Sequence, residues 1–299
     1  MATILCCGEG MLELSAASAV APLGDCQLGY GGDTLNTAIH LARAGHSVQF
    51  LTALGLDPFS AALRQAWLAE GVLGELVLTH PTRRAGLYAI TTDVEGERSF
   101  TYWRGNSAAQ AMFELASEAQ LAMAERSALL FFSLITLAIL PRAGRERLFD
   151  LVRRVREHGG RVAFDGNYRP SLWRDRASAR EARNQAVALA NIGLPTLDDE
   201  TALSGWRDPA EVAEHWAGLG CAETIVKLGS AGCRLPSGET VAPAAVLHPV
   251  DTSGAGDAFN AAYLSARLSG DSIAAAASKG HRLAGWTIMR PGATPRADD

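Results

Sequence analysis

Lysine is almost missing from this chain of 299 residues. Of its 27 basic residues only Lys227 and Lys279 are lysines, and the other 25 are arginines. Nucleotide-composition bias in the source genome accounts for such an excess, and it makes each lysine conspicuous. No Gly-Lys dipeptide occurs, which excludes a Walker-type phosphate loop. Protein-kinase signatures are absent as well. Cysteine is scarce: Cys6, Cys7, Cys26, Cys221 and Cys233 are odd in number and form no C-x-x-C, the pattern of reduced thiols in a cytoplasmic protein. The seven histidines show no metal-ligand spacing, which argues against a structural zinc or a metallohydrolase. No apolar run reaches the roughly 20 residues that span a bilayer, and the longest candidate, 128–140, is too short. The opening MATILCCGEG lacks the basic start and long apolar stretch of a secretory signal. A net charge of -5 argues against a broad nucleic-acid surface.

What is present fits a large globular core. The chain is 48% hydrophobic and 20% charged, which rules out a disordered polymer. Its length allows one large domain or two modest ones, and such a chain buries roughly 75% of its extended surface without needing disulfides or metals. Apolar strand-like runs at 3–7, 48–54, 129–133, 161–165 and 224–228 alternate with helical patterns at 34–44, 58–70, 145–157, 176–190, 208–219, 254–268 and 272–289. That alternation predicts βαβ units and a mostly parallel sheet covered on both faces. Two strand-like runs at 85–92 and 97–103 break it, joined by a turn at Asp93-Val94-Glu95-Gly96. A hairpin inside an α/β chain is an insertion, and insertions often cover active sites. The expectation is one α/β domain with a small β lid.

Three glycine-bearing segments carry chemistry. Gly8-Glu9-Gly10 follows a strand, but Glu13 stands where a dinucleotide fingerprint has its third glycine, and 11–14 looks like strand. The segment from Asp251 to Asp257 places Gly254, Ala255 and Gly256 directly before an apolar-patterned helix. Successive backbone N–H groups in such a turn converge on an anion, and the helix dipole adds to their field. Asp257, in the first helical turn, is placed to take a proton from a hydroxyl attacking a phosphoryl group. Spacing alone allows equally a capped helix with an acidic first turn. Gly31 and Gly32 precede another helix, where Asp33 and Asn36 offer hydrogen bonds to hydroxyls; the alternative is a tight turn with Asp33 as N-cap.

Taken together, these segments resemble the ribokinase or phosphofructokinase-B family of carbohydrate kinases. The amino-terminal signature matches at Gly31, Gly32 and Asn36, and the carboxy-terminal D-T-x-G-A-G-D matches in full from Asp251 to Asp257. Within the family the chain is most similar to bacterial kinases of 2-keto-3-deoxygluconate, through Gly8 to Ser15, Gly86 to Tyr88, Tyr102 to Arg104, Asn167 to Pro170 with Leu172 and Trp173, and Thr196 to Glu200. The resemblance implies a ribokinase-like three-layer α/β/α domain over 1–299, with a lid built from segments near 9–32 and 83–105. It implies transfer of the ATP γ-phosphoryl to the primary C6 hydroxyl of the sugar acid, with Mg²⁺. Asp257 would be the base and the amides of Gly254, Ala255 and Gly256 the anion hole. Asn167, Arg169, Lys227, Gly229, Ser230, Ala231 and Gly232 would meet the nucleotide. Asp251, Asp199 and Glu200 would act near the metal or phosphates, the last two indirectly; for the acids at 198–200 a solvated helix start is the equal alternative. The chain departs from the family at Thr196, where an Asn is usual, and from the bacterial pattern at Gly166, where a larger residue precedes Asn167. The family also implies a homodimer formed through the lid; sibling kinases of neutral sugars and a non-catalytic sensor on the same fold are the alternatives.

Substrate choice turns on an acid group that ribose and fructose lack. A carboxylate in a partly dry site favours a bidentate guanidinium. Arg104 and Arg169 are the candidates, with Tyr88 and Tyr102 supplying hydroxyls and flat apolar faces. Tyr102 and Arg104 are two apart in a strand, so they share a face, while Trp103 points the other way and could pack at a subunit contact.

Overall fold

The computed structural model describes residues 3–16, 24–92 and 98–296. A central parallel sheet runs, in spatial order, through Glu223–Thr224, Ile192–Gly193, Arg161–Asp165, Leu129–Ser133, Thr3–Cys7 and Ser47–Leu54, with Val72–Leu73 and Val77–Thr79 along the outer edge of the last. Its middle strands are apolar because both faces are covered, which is why period-two alternation is missing from them. One face packs a core containing Phe132, Phe164, Val152 and Trp216 beneath the helices Arg142–Glu157, Arg176–Leu189 and Pro209–Gly218. The other packs Ile4, Phe50, Trp67 and Tyr263 beneath Asp33–Arg43, Pro58–Ala69, Ala255–Leu268 and Ile273–Ile288. The helices begin where side chains satisfy their first amides: Asp57 accepts from Ser60 N at 3.0 Å, ahead of Pro58.

A second sheet of four strands, Cys26–Gly31, Met11–Ala16, Gly86–Thr92 and Arg98–Trp103, lies off the main one. Its register sorts the side chains into two faces. Glu13, Tyr88 and Tyr102 form one row across neighbouring strands, and Tyr30, Leu12, Leu87 and Trp103 form a row on the opposite face. The strand Cys26–Gly31 was not among the runs expected from the sequence; it is poor in apolar residues and largely exposed. The expected turn at Asp93 to Gly96 falls outside the described residues.

Two further expectations are corrected. The run 224–228 is not one strand: Glu223–Thr224 ends the central sheet, and Val226–Lys227 joins a small antiparallel sheet with Cys233–Arg234 and Thr240–Val241. Asp33 is not an N-cap. Gly32 occupies that position, with φ 154°, and a Cβ there would stand 2.2 Å from the Glu9 carbonyl oxygen. The close approach of two backbones demands a glycine. Among the described residues no helix is long and apolar enough to cross a membrane.

Candidate active site

A cleft of 1890 Å³ opens beyond the carboxyl ends of the central strands, with the second sheet as one wall. Ligands of open α/β sheets bind at this edge, and the volume exceeds the 300–1,000 Å³ of an ordinary one-ligand pocket, leaving room for two substrates. The sequence-predicted residues Gly32, Asp33, Asn36, Tyr88, Tyr102, Arg104, Asn167, Arg169, Asp199, Lys227, Gly229, Ser230, Gly232, Asp251, Gly254, Ala255, Gly256 and Asp257 all line it. Gly31 lies just behind the wall, where a Cβ would meet the Tyr88 hydroxyl at 2.3 Å. Ala231 is not on the lining.

At the floor, Gly254 adopts left-handed backbone (φ 69°) and the helix starts at Ala255. The first i→i−4 bond runs from Ala258 N to Gly254 O at 2.8 Å, and Ala255 N leans towards Thr252 O at 3.4 Å. The Gly256 and Asp257 amides thus belong to the open first turn, with the helix dipole behind them. The carboxyl of Asp257 accepts from Asn36 Nδ2 at 2.9 Å. Burial, reinforced by the charge of Asp33 and opposed by the Asn36 hydrogen bond, pushes its pKa up to about 8. Asp33 accepts from Ser133 Oγ at 2.5 Å and from Asn167 Nδ2 at 3.2 Å; burial raises its pKa too, against the pull of the Ser133 bond.

Sequence reasoning missed Asp165. It is buried at the end of its strand, accepting from Lys227 Nζ at 3.2 Å and from Asn260 Nδ2 at 2.7 Å, while Lys227 also donates to Asn260 Oδ1 at 3.1 Å. The rarest residue type of this chain thus places an ammonium beneath the glycine turn. Its Nζ would lie 3.7 Å from a Cβ at Gly256. Glu13 was also missed; its carboxylate forms a short hydrogen bond with Tyr88, whose own pKa is raised chiefly by burial. So was the apolar rim at Val246, Leu247, Val250 and Met289. Val246 is 91% exposed and Val250 62%, an apolar surface left open by the described residues. No local motif marks any of these.

Several predicted residues turn out to have other partners. Arg104 is buried and ion-paired with buried Glu9, and its buried Nε has no hydrogen-bond partner among the described residues. Arg169 is half-exposed and donates to Asp199 Oδ1 at 3.2 Å. Burial pushes the Asp199 carboxyl up to about 6 despite the opposing charge of Arg169. Asp251 accepts from Ser253 N at 2.9 Å and Gly292 N at 2.7 Å. Glu200 does not reach the cleft: it is buried against Arg183 and accepts from Trp216 Nε1 at 3.1 Å, so the solvated helix start is not its environment either. Gly166 is explained by the same Trp216, whose ring would stand 3.2 Å from a Cβ there.

A buried carboxyl in an open helix start, in a cleft with room for two ligands, is an arrangement that suits phosphoryl transfer to a hydroxyl. The profile of the pfkB family carbohydrate kinases matches residues 1–299, and the chain belongs to that family. A 2-dehydro-3-deoxygluconokinase of Escherichia coli is 41% identical over 299 residues, covering 96% of this chain and 94% of the relative. One from Dickeya dadantii is 40% identical over 300 residues, covering 96% and 94%. The crystal structure of aminoimidazole riboside kinase from Salmonella enterica, complexed with aminoimidazole riboside and an ATP analogue, superposes with a TM-score of 0.83 at 26% identity, covering 98% of this chain and 95% of that one.

Proposed function

We propose that this chain is an ATP-dependent 2-dehydro-3-deoxygluconokinase, moving the γ-phosphoryl of ATP to the C6 hydroxyl of 2-dehydro-3-deoxy-D-gluconate. The observation that carries the substrate is Arg104. Its guanidinium lines the cleft with Tyr88 and Tyr102 and, although Glu9 already pairs with it, suits a sugar acid better than a neutral sugar. The names of the Escherichia coli and Dickeya dadantii relatives agree with this reading. Asp257 takes the hydroxyl proton, and the amides of Gly254, Ala255 and Gly256 meet the charge that develops on the phosphoryl oxygens. Gly229, Ser230, Gly232, the exposed apolar rim and the Lys227 ammonium line the nucleotide end.

Mg²⁺ fits this cleft as a companion of the nucleotide. Among the described residues no three His, Cys, Asp or Glu side chains are grouped to hold a metal by themselves. Phosphate oxygens and waters would supply most ligands, the usual Mg²⁺ arrangement, with the Asp199 carboxyl at hand on the cleft wall, where Arg169 already holds one of its oxygens. The ion would neutralise charge on the phosphates.

Residues 1–299 act as one kinase domain, and the small sheet is its lid; closure excludes water from the reacting phosphoryl. The lid's outer face, with Leu28 and Trp103 exposed beside Leu12 and Leu87, pairs with a second copy. Trp103→Asp is expected to turn a dimer into a monomer by light scattering, and a Trp103→Asp protein that remains dimeric would move the interface elsewhere. Four buried free thiols, Cys6, Cys7, Cys221 and Cys233, suit the reducing cytoplasm.

The function is tested by ADP release across a panel of keto-deoxygluconate, its galactonate epimer, fructose, ribose and no sugar. Turnover with an acid is expected, and none with either acid rejects the reading. Arg104→Lys is expected to lower kcat/KM on the acid by about tenfold or more, since the bidentate geometry is lost. Equal loss on a neutral sugar would remove the carboxylate clamp. The raised pKa of Asp257 gives a second check. The base must be deprotonated, so kcat/KM is expected to climb about tenfold per pH unit below its midpoint and level off above it, with that midpoint near 8. A flat profile from pH 6 to 9 would count against Asp257 as the titrating group.

A further inference from the structure

The turn before the helix Ala255–Leu268 is braced by a segment from the far end of the chain. A Cβ at Gly254 would come within 2.6 Å of Ala293 Cβ and 2.8 Å of the Ala293 carbonyl oxygen, so Ala293 is pressed directly against the turn. Asp251 ties the two together, accepting from Ser253 N on the turn at 2.9 Å and from Gly292 N on the segment at 2.7 Å. The opposite side of the segment is held by one helix, Asp33–Arg43. His40 Nε2 meets the Ala293 carbonyl at 3.1 Å, and Arg43 Nη1 donates to the carbonyls of Thr294 at 3.1 Å and Pro295 at 2.6 Å. Glu70 fixes the Arg43 guanidinium through Nε at 2.7 Å. Burial drives the His40 pKa down to about 4, so the ring is neutral at working pH and its contact is an ordinary hydrogen bond.

We propose that Arg43 and His40 are positioning residues for phosphoryl transfer, acting through residues 292–295 to hold the Gly254–Gly256 turn in its reactive geometry. The inference rests on the reading of that turn as the anion hole. Neither side chain lines the main cleft. Donors that meet charge as it develops are effective because they need no rearrangement at that moment, and a shift of about 1 Å costs up to ~10²-fold in rate. Ground-state binding relies on other walls of the cleft, so the effect falls on kcat rather than on KM.

The test uses four variants of the full chain, assayed with whichever sugar of the panel turns over best. Arg43→Ala is expected to lower kcat about 10- to 100-fold, with KM for ATP and sugar within about threefold of the parent. Arg43→Lys, which keeps a charged donor, recovers part of the loss. Ala293→Gly removes only the methyl against Gly254 and lowers kcat several-fold, which covers the case in which Arg43→Ala does not fold. Arg64→Ala is the control: Arg64 also caps a carbonyl, Leu78 O at 2.6 Å, but on the strand Val77–Thr79 rather than on residues 292–295, so melting temperature falls while kcat holds. Hydrogen exchange supplies a readout free of turnover. Amides of residues 252–258 should exchange faster in Arg43→Ala, and those of Leu129–Ser133 should not. Parent-like kcat and parent-like exchange in the folded Arg43→Ala protein overturn the proposal, as does an equal kcat loss in Arg64→Ala. Faster exchange at the turn with unchanged kcat also overturns it, and locates the fault in the anion-hole reading rather than in the brace.

Discussion

Asp257→Asn is expected to lower kcat by ~10²–10⁴ while the KM for ATP stays within about twofold. The amide keeps the shape of the carboxylate and can still meet Asn36, whose Nδ2 stands 2.9 Å from the carboxyl. What it loses is the ability to take a proton. Single-turnover measurements with saturating ATP separate this from slow product release, because only the chemical step should slow. A burden of this size suits a base whose pKa is raised to about 8, far closer to that of an attacking alcohol than an ordinary carboxylate. Retention of most of the rate would remove Asp257 from the base role. It would leave the open helix start as the main source of catalysis.

Breaking the buried pair of Glu200 and Arg183 is expected to be the costliest change to stability. Both side chains are 1% exposed, and they link the helices Arg176–Leu189 and Leu197–Ser204. Burial raises the Glu200 pKa against the attraction of Arg183, the sign of a charge that is tolerated only because its partner is present. Arg183→Met should therefore cost ~3–5 kcal/mol, since it strands a buried carboxylate with the Trp216 N–H and little else. The measurement is the urea midpoint, with the slope checked for two-state behaviour. Adding Glu200→Leu to Arg183→Met should recover most of the loss, because no charge is then left unpaired. The Mg²⁺ dependence of kcat should stay unchanged in any variant that remains folded. A changed metal dependence would return Glu200 to the phosphate side of the protein; an unchanged midpoint in Arg183→Met would dismiss the pair as a stabilising element.

The contrast between Asp199 and Glu200 shows what a one-dimensional reading resolves. Adjacent acids at a helix start look equivalent in sequence. In the fold Asp199 faces the cleft and pairs with Arg169, while Glu200 is turned into the core. Successive helical residues point about 100° apart, so adjacent acids need not share a site, and the packing of Glu200 against Trp216 and Arg183 takes it out of the cleft. Glu9 and Arg104 make the same point. Arg104 was singled out for a substrate carboxylate, yet the fold brings it a carboxylate of its own from a loop remote in sequence. Its place on the cleft wall is what keeps a recognition role open to it.

The sequence by itself determined the architecture and the place of one turn. Strands buried on both faces read as near-continuous apolar runs, so Thr3–Cys7, Leu129–Ser133 and Arg161–Asp165, polar only at their ends, were legible to the residue. The turn from Asp251 to Asp257 was legible because small residues directly before an apolar-patterned run mark a helix start, a local signal. Tertiary structure alone decided the partnerships. Lys227 meets Asp165 across 62 positions, Asn260 meets Asp165 across 95, and Arg43 reaches Pro295 across 252. Hydrogen bonds and ion pairs depend on distances of about 3 Å in space and leave no periodic trace along the chain. The scarcity of lysine marked Lys227 as a residue to watch, but only the fold supplied the buried carboxylate that holds it in place.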